Sequence, residues 1–144
     1  MARRFTLDEA QRLLPEVERF LRSAIDARGD YHDAETAIRS LNERVMLHGG
    51  VLVDREKALA FKTRRENAAA VLRNAIESVH ALGVLVKDLD TGLVDFPTLY
   101  RGAEVYLCWR LGEEGIGFWH PVEEGFRGRR PIDRDFLDHH EGGE

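Results

Sequence analysis

Gly83-Val84-Leu85-Val86-Lys87-Asp88-Leu89-Asp90-Thr91-Gly92-Leu93-Val94-Asp95-Phe96-Pro97 is the stretch in which the hydrophobic pattern of the chain changes period. Upstream, apolar residues recur every three or four positions, as on one face of a helix. From Val84 onward they crowd between turn formers, as in strands. Val84 to Leu89 reads as one strand, Asp90-Thr91-Gly92 as a turn, and Leu93 to Phe96 as a second strand running on to Pro97. The pair predicts a β-hairpin, and the change of period predicts an α+β fold with a helical half followed by a sheet half.

Working back from Gly83, that glycine fits the residue just past a helix C-terminus. The helix before it carries a stripe at Ala58, Phe61, Arg65, Ala68, Leu72, Ala75, Val79 and Leu82. An earlier stripe runs through Val17, Phe20, Ala24, Ala27, Tyr31, Ala34, Ile38, Leu41 and Val45. Between the two, His48-Gly49-Gly50 predicts a chain reversal, because successive glycines disfavour a helix and accept turn conformations. Thr6-Leu7-Asp8-Glu9 reads as the first helix start, with Thr6 as a cap and two acids at the positive end of the dipole. Pro15 falls inside the pattern, so a kink, or a new helix beginning at Leu14 or Pro15, is expected. Gly29 marks a bend or the close approach of another backbone. The result is a long antiparallel helical hairpin with a kinked first helix and coiled-coil spacing. Because so many stripe positions are Ala, and Arg65 occupies another, a lone hairpin buries little area; a homo-oligomer, dimer or larger, is expected.

Downstream, Glu104-Val105-Tyr106-Leu107-Cys108-Trp109-Arg110-Leu111 alternates, with Val105, Leu107 and Trp109 on one face and Tyr106, Cys108 and Arg110 on the other. Gly112-Glu113-Glu114-Gly115 then turns, and Ile116 to His120 forms a further strand ended by Pro121. A small antiparallel sheet of three to four strands follows from these runs. The tail from Asp133 has little apolar weight beyond Phe136 and Leu137, and is expected to fray. The organisation read from the sequence is one domain over 1–144, with a hairpin at 1–83, a sheet region at 84–132 and a frayed tail at 133–144.

A length of 144 residues with a 43% hydrophobic fraction suits one domain with its own core. No run approaches the roughly 18 apolar residues of a spanning helix, and Met1-Ala2-Arg3-Arg4-Phe5 leads into charged sequence instead of a signal core, so no membrane partner and a cytoplasmic location are expected. Cys108 is the single cysteine, which excludes an intrachain disulfide and a Cys-rich zinc site within one chain. The net charge of −5 gives no general attraction to nucleic acid. Arg127-Gly128-Arg129-Arg130 is the one basic run, and Glu123, Glu124, Asp133 and Asp135 lie close enough in sequence to pair with it, so nucleic-acid binding is not expected.

The run Val86 to Pro97, followed by Tyr106-Leu107-Cys108-Trp109, Gly112-Glu113, Trp119-His120 and Gly125-Phe126 with Arg129, resembles the prokaryotic domain of unknown function 2203 family. The opening Phe5-Thr6-Leu7 with Leu13-Leu14-Pro15 is also similar to that family's start, so the resemblance spans nearly the whole chain. It implies no activity, cofactor or partner, and no catalytic role is carried over from it.

Chemistry-bearing residues concentrate in the sheet region. Asp88, Asp90, Asp95, Glu104, Glu113 and His120 supply carboxylates and an imidazole of the kind that hold a divalent metal or perform acid–base work. Asp88, Asp90, Glu104 and Glu113 with His120 form the narrowed metal set, His120 being the best catalytic candidate because Pro121 restricts its backbone to an extended form. The plainer reading is that Asp88, Asp90 and Thr91 hold a turn through side-chain to backbone bonds, and Glu113 does likewise in its own turn. Cys108 with His120 is a candidate nucleophile and base, against the commoner role of a mid-strand cysteine as a packed residue. An aromatic group with arginines, above all Trp109, Arg110, Trp119 and Arg129, reads as a ligand-binding rim or as core and interface packing.

Two functions follow. The first is a non-enzymatic, oligomeric interaction or scaffold protein whose sheet presents a ligand- or partner-binding surface. The alternative is a small metal-dependent or acid–base enzyme, a hydrolase for example, centred on His120 and nearby carboxylates.

Overall fold

A computed structural model describes residues 3–47 and 55–143. The chain runs through helix α1 (Leu7–Leu47) and helix α2 (Arg55–Ala81) into strands β1 (Leu85–Asp88), β2 (Leu93–Tyr100), β3 (Ala103–Arg110), β4 (Phe118–Pro121) and β5 (Arg130–Pro131). It ends in helix α3 (Arg134–His139) and strand β6 (His140–Glu141). The reversal expected at His48-Gly49-Gly50 lies outside the described residues. Two compact units emerge, one of Met1–Leu21 with Ile76–Glu144 and one of Arg22–Ala75.

The start of α1 is closed by side chains. Glu9 N–H donates to Thr6 Oγ1 at 3.2 Å and Thr6 N–H donates to Glu9 Oε1 at 3.0 Å, a reciprocal capping box. Leu7 N–H donates to His140 Nε2 at 3.0 Å, so another free amide of the first turn is met from the far end of the chain. α1 continues unbroken through Pro15, which corrects the expectation that a new helix begins there. Proline removes one backbone donor, but Leu14 and Val17 beside it are buried in the core and hold the turn helical. At the other end of α2, Gly83 takes φ +93, with Gly83 N–H donating to His80 O at 2.9 Å and Val84 N–H to Val79 O at 3.4 Å. That is the Schellman closure in which glycine avoids the left-handed penalty.

The sheet is antiparallel, in the order β1-β2-β3-β4-β5, with β6 also pairing β2. It therefore has six strands where the sequence predicts three to four. One cause is β2, which passes through Pro97 and continues to Tyr100. The Pro97 carbonyl accepts from Phe5 N–H at 2.7 Å, so the Pro97 nitrogen, on the same edge, faces away from β3 and its missing proton breaks no bond of the β2/β3 ladder. A two-residue turn then joins β2 to β3, with Arg101 at φ +50 and Gly102 at φ +81, and the register Tyr100↔Ala103 follows from it.

The register fixes two faces. Val94, Phe96, Leu107, Trp109 and Trp119 share one face and pack with Phe5, Leu14, Val17, Leu21, Val79 and Phe136 in the core. Asp95, Tyr106, Cys108, Phe118 and His120 share the other. The tail expected to fray is instead folded: α3 is capped by Asp133, whose side chain accepts from Phe136 N–H, and Phe136 is fully buried against Trp119, Tyr100 and His140.

In the second unit, Ala24, Ala27 and Ala34 of α1 and Ala68 and Ala75 of α2 are buried. Arg65 occupies a stripe position because its guanidinium donates to Glu35 at 3.3 Å. Gly29 continues the helix, and among the described residues no backbone from outside the local helix comes within 4 Å of a Cβ built on it.

Candidate functional site: a buried Asp95, Cys108 and His120 cluster

Asp95 comes from β2, Cys108 from β3 and His120 from β4, and strand pairing brings them together. Asp95 lies opposite Cys108, and Tyr106, one alternation along, lies opposite His120. Asp95 Oδ1 is 3.0 Å from His120 Nε2, and His120 Nδ1 is 2.8 Å from Pro121 O. All three side chains are nearly or fully buried. Their candidate ligand atoms lie within 4.8 Å of one another, the one group of three or more such residues found among the described residues.

The hydrogen bonds constrain the protons. Pro121 O only accepts, so His120 Nδ1 carries a proton. Nε2 and Oδ1 then share one further proton: Asp95 is a neutral acid donating to imidazole, or a carboxylate accepting from imidazolium. Both arrangements leave the pair without net charge. Burial pushes the Asp95 carboxyl above its ordinary range, opposed by His120 and, more weakly, by Lys87 and Cys108. Burial, reinforced by the Asp95 charge, pushes the Cys108 thiol up to about 12, with Arg129 opposing. Both His120 nitrogens are engaged elsewhere, so Cys108 is not activated by His120 as a nucleophile.

Asp95 and His120 line a pocket of about 210 Å³ with Lys87, Leu93, Tyr106 and Phe126, and the loop Val122 to Gly125 completes the wall. The Lys87 ammonium sits 5.0 Å from the Tyr106 ring centre, and the Tyr106 and His120 rings meet edge to face at 5.5 Å. Behind Phe126, the Arg129 guanidinium is wedged between Phe118 and Phe126, at 4.2 and 4.7 Å, and donates to Glu113 at 2.6 Å and to Cys108 O at 3.2 Å.

Of the narrowed metal set only His120 is here. Asp88 accepts from Asp90 N–H at 2.9 Å and from Thr91 Oγ1 at 3.2 Å, the turn role. Glu104 pairs with Arg4 at 3.0 Å, and Glu113 accepts from Arg110 N–H at 2.7 Å as well as from Arg129. The carboxylate that does reach His120 is Asp95, a member of the wider group that the narrowed set omits. Its sequence signal is an acid between Val94 and Phe96 in an otherwise apolar strand. The proposed ligand rim also divides. Alternation sends Trp109 and Trp119 to the core face, Trp109 being fully buried with Nε1 donating to Glu113 O at 3.1 Å, whereas Arg110 stays on the site face over Phe126 at 5.2 Å.

Fold and site together define an α+β protein with a helical hairpin and an antiparallel sheet that carries a buried acid, imidazole and thiol on its outward face. The chain belongs to the family described as "Uncharacterized conserved protein (DUF2203)", which it matches over residues 3–132, a range that includes every site residue named above. No curated protein and no solved structure matches it.

Proposed function

We propose that this chain is a non-enzymatic binding protein that takes a small ligand in the pocket over Asp95 and His120. The observation that carries the reading is the 3.0 Å contact between Asp95 and His120 at the pocket wall, which puts a hydrogen-bonding pair of adjustable protonation beside the apolar surfaces of Leu93, Val122 and Phe126. A volume of about 210 Å³ is below the roughly 300–1,000 Å³ of sites for drug-sized molecules, so the ligand is small. Ligand-observed NMR with a library of small polar and amphipathic compounds tests this. Binders competing for one site and lost in His120→Ala support it; an empty screen on the folded protein refutes it.

The same reading assigns the helices to assembly, as a coiled coil in a homo-oligomer of two or more chains. Met46, Leu47, Leu59 and Val71 are apolar and exposed on the helices, and the stripe is rich in small residues. A solution mass of one chain refutes this part. We place the protein in a prokaryotic cytoplasm, where an unpaired thiol such as Cys108 persists. No described helix is long and apolar enough to cross a membrane. The alternative, a small metal-dependent or acid–base enzyme such as a hydrolase, draws on Asp95, a carboxyl that burial pushes above its ordinary range at the wall of the pocket beside His120. Turnover of a small ester or phosphoester panel, abolished in His120→Ala, would establish it.

A further inference from the structure

We propose that Asp95, Cys108 and His120 bind one borderline divalent metal ion of the zinc type, as a three-ligand centre whose open position faces the pocket. The inference rests on the pocket reading for access to the site, but requires no organic ligand.

The first argument is distance. Zinc bonds of about 2.0–2.3 Å place tetrahedral ligand atoms roughly 3.3–3.8 Å apart. Here a carboxylate oxygen, an imidazole nitrogen and a thiol sulfur already lie within 4.8 Å of one another, so side-chain adjustments alone bring them onto an ion. Three neighbouring strands supply them, which holds the ligand backbones rigidly.

Donor chemistry selects the metal. One oxygen, one nitrogen and one sulfur disfavour calcium and magnesium, which take oxygen ligands, and favour zinc or cobalt. Charge agrees: ionised Asp95 and Cys108 bring two negative charges and neutral His120 brings none, so a divalent ion leaves the buried centre neutral. The exchange balances. The ion takes the place of the proton shared by Asp95 and His120 and of the Cys108 thiol proton; both are released, and Nδ1 keeps its own.

The surroundings fit as well. Metal-binding imidazoles usually donate from the other ring nitrogen to a carbonyl or carboxylate, and His120 Nδ1 is 2.8 Å from Pro121 O, leaving Nε2 toward Asp95. Arg129, which donates to Cys108 O, is neutralised by Glu113 at 2.6 Å, so its charge does not stand alone against an ion. Asp95 and His120 line the pocket and Cys108 does not, so the exchangeable position lies on the pocket side.

The test is cobalt(II) added to untagged protein, both native and during refolding, followed by absorption spectroscopy and elemental analysis. One equivalent of cobalt with a sulfur-to-cobalt charge-transfer band is expected, displaced by zinc, with the band lost in Cys108→Ala and affinity reduced at least tenfold in His120→Ala. Cys108 is the only cysteine, so that band in the parent protein assigns the ligand even if a variant does not fold. No cobalt bound by folded protein, or cobalt bound without the band, overturns the proposal. Organic ligands in a metal-free pocket would leave the binding function standing while this inference fell; metal bound where the compound screen is empty would do the reverse.

Discussion

Asp95 and His120 meet across a strand that belongs to neither: Oδ1 and Nε2 are 3.0 Å apart although β3 lies between β2 and β4. Adjacent strands are spaced about 4.8 Å, so the two backbones stand roughly 9–10 Å apart and only inward-reaching side chains close the gap. The contact ties three strands together, and removing either partner strands the other in a buried site. In metal-free protein, Asp95→Ala and His120→Ala are each expected to cost about 3–5 kcal/mol, as for a broken buried pair. The double variant should cost less than the sum by about 1–3 kcal/mol. Urea denaturation of the four proteins measures this, and strictly additive losses would show that the pair is not coupled.

Gly29 gives a prediction of opposite sign. It lies within α1, exposed, and beyond its chain neighbours and the local helix backbone no atom of the described residues comes within 4 Å of an added Cβ. Glycine in a helix interior costs up to about 1 kcal/mol against alanine, chiefly through unfolded-chain entropy. Gly29→Ala should therefore stabilise the protein by up to that amount in chemical denaturation. A loss of stability would mean that a bend or a contact at this position matters after all.

The capping box makes the start of α1 sensitive to acid. Glu9 is held below its ordinary range first by the Thr6 backbone N–H and then by the Thr6 side chain. Its folded value lies below the usual 4.5, so its contribution is complete above that pH and is lost as pH falls through the folded value. Glutamine at this position still accepts the Thr6 N–H but does not titrate. Glu9→Gln should melt slightly below the parent at pH 6, and the gap should close or reverse by pH 3. Thr6→Ala should cost about 1 kcal/mol at pH 6.

The start of α1 is legible in the sequence because its signals lie within a few residues of one another. Every stripe position read on α1 and α2 is buried or half-buried, including Arg65, whose partner Glu35 was invisible from spacing alone. The two faces of β3 were equally clear. The cluster was not, because it depends on register across three strands. That register is set at the β2/β3 end by Arg101-Gly102, where arginine takes a left-handed conformation that sequence assigns to Asn or Gly. Pro97 compounded the error: it reads as a strand end, but its missing donor falls on an edge where β3 does not pair.

Composition is a poor guide to the tail for a related reason, since a segment with few apolar residues can still be fixed by one of them. Phe136 is fully buried, stacked at 5.1 Å on Trp119 and 5.2 Å on His140, and His140 in turn accepts the Leu7 N–H. Phe136→Ala should cost about 3–5 kcal/mol, a core-sized loss. His140→Ala should cost less, on the order of 1 kcal/mol, by freeing one helix-terminal amide. Calorimetry of both separates the two roles. A near-neutral Phe136→Ala would return the tail to the frayed state read from its composition.

Cys108 reports on the whole arrangement. It has no exposed surface, and its thiol is pushed up to about 12, so at neutral pH it is neither accessible nor ionised. A thiol reagent at pH 7.5 should modify native protein no faster than the protein opens, and labelling should track global unfolding as denaturant is added. Bound zinc should slow it further by stabilising the folded state. Strand ends open more readily than a central strand, so labelling without denaturant at the rate of a free thiol would place Cys108 at a fluctuating edge. That outcome is incompatible with its position on β3 between β2 and β4, and with every argument that treats the cluster as a preformed site.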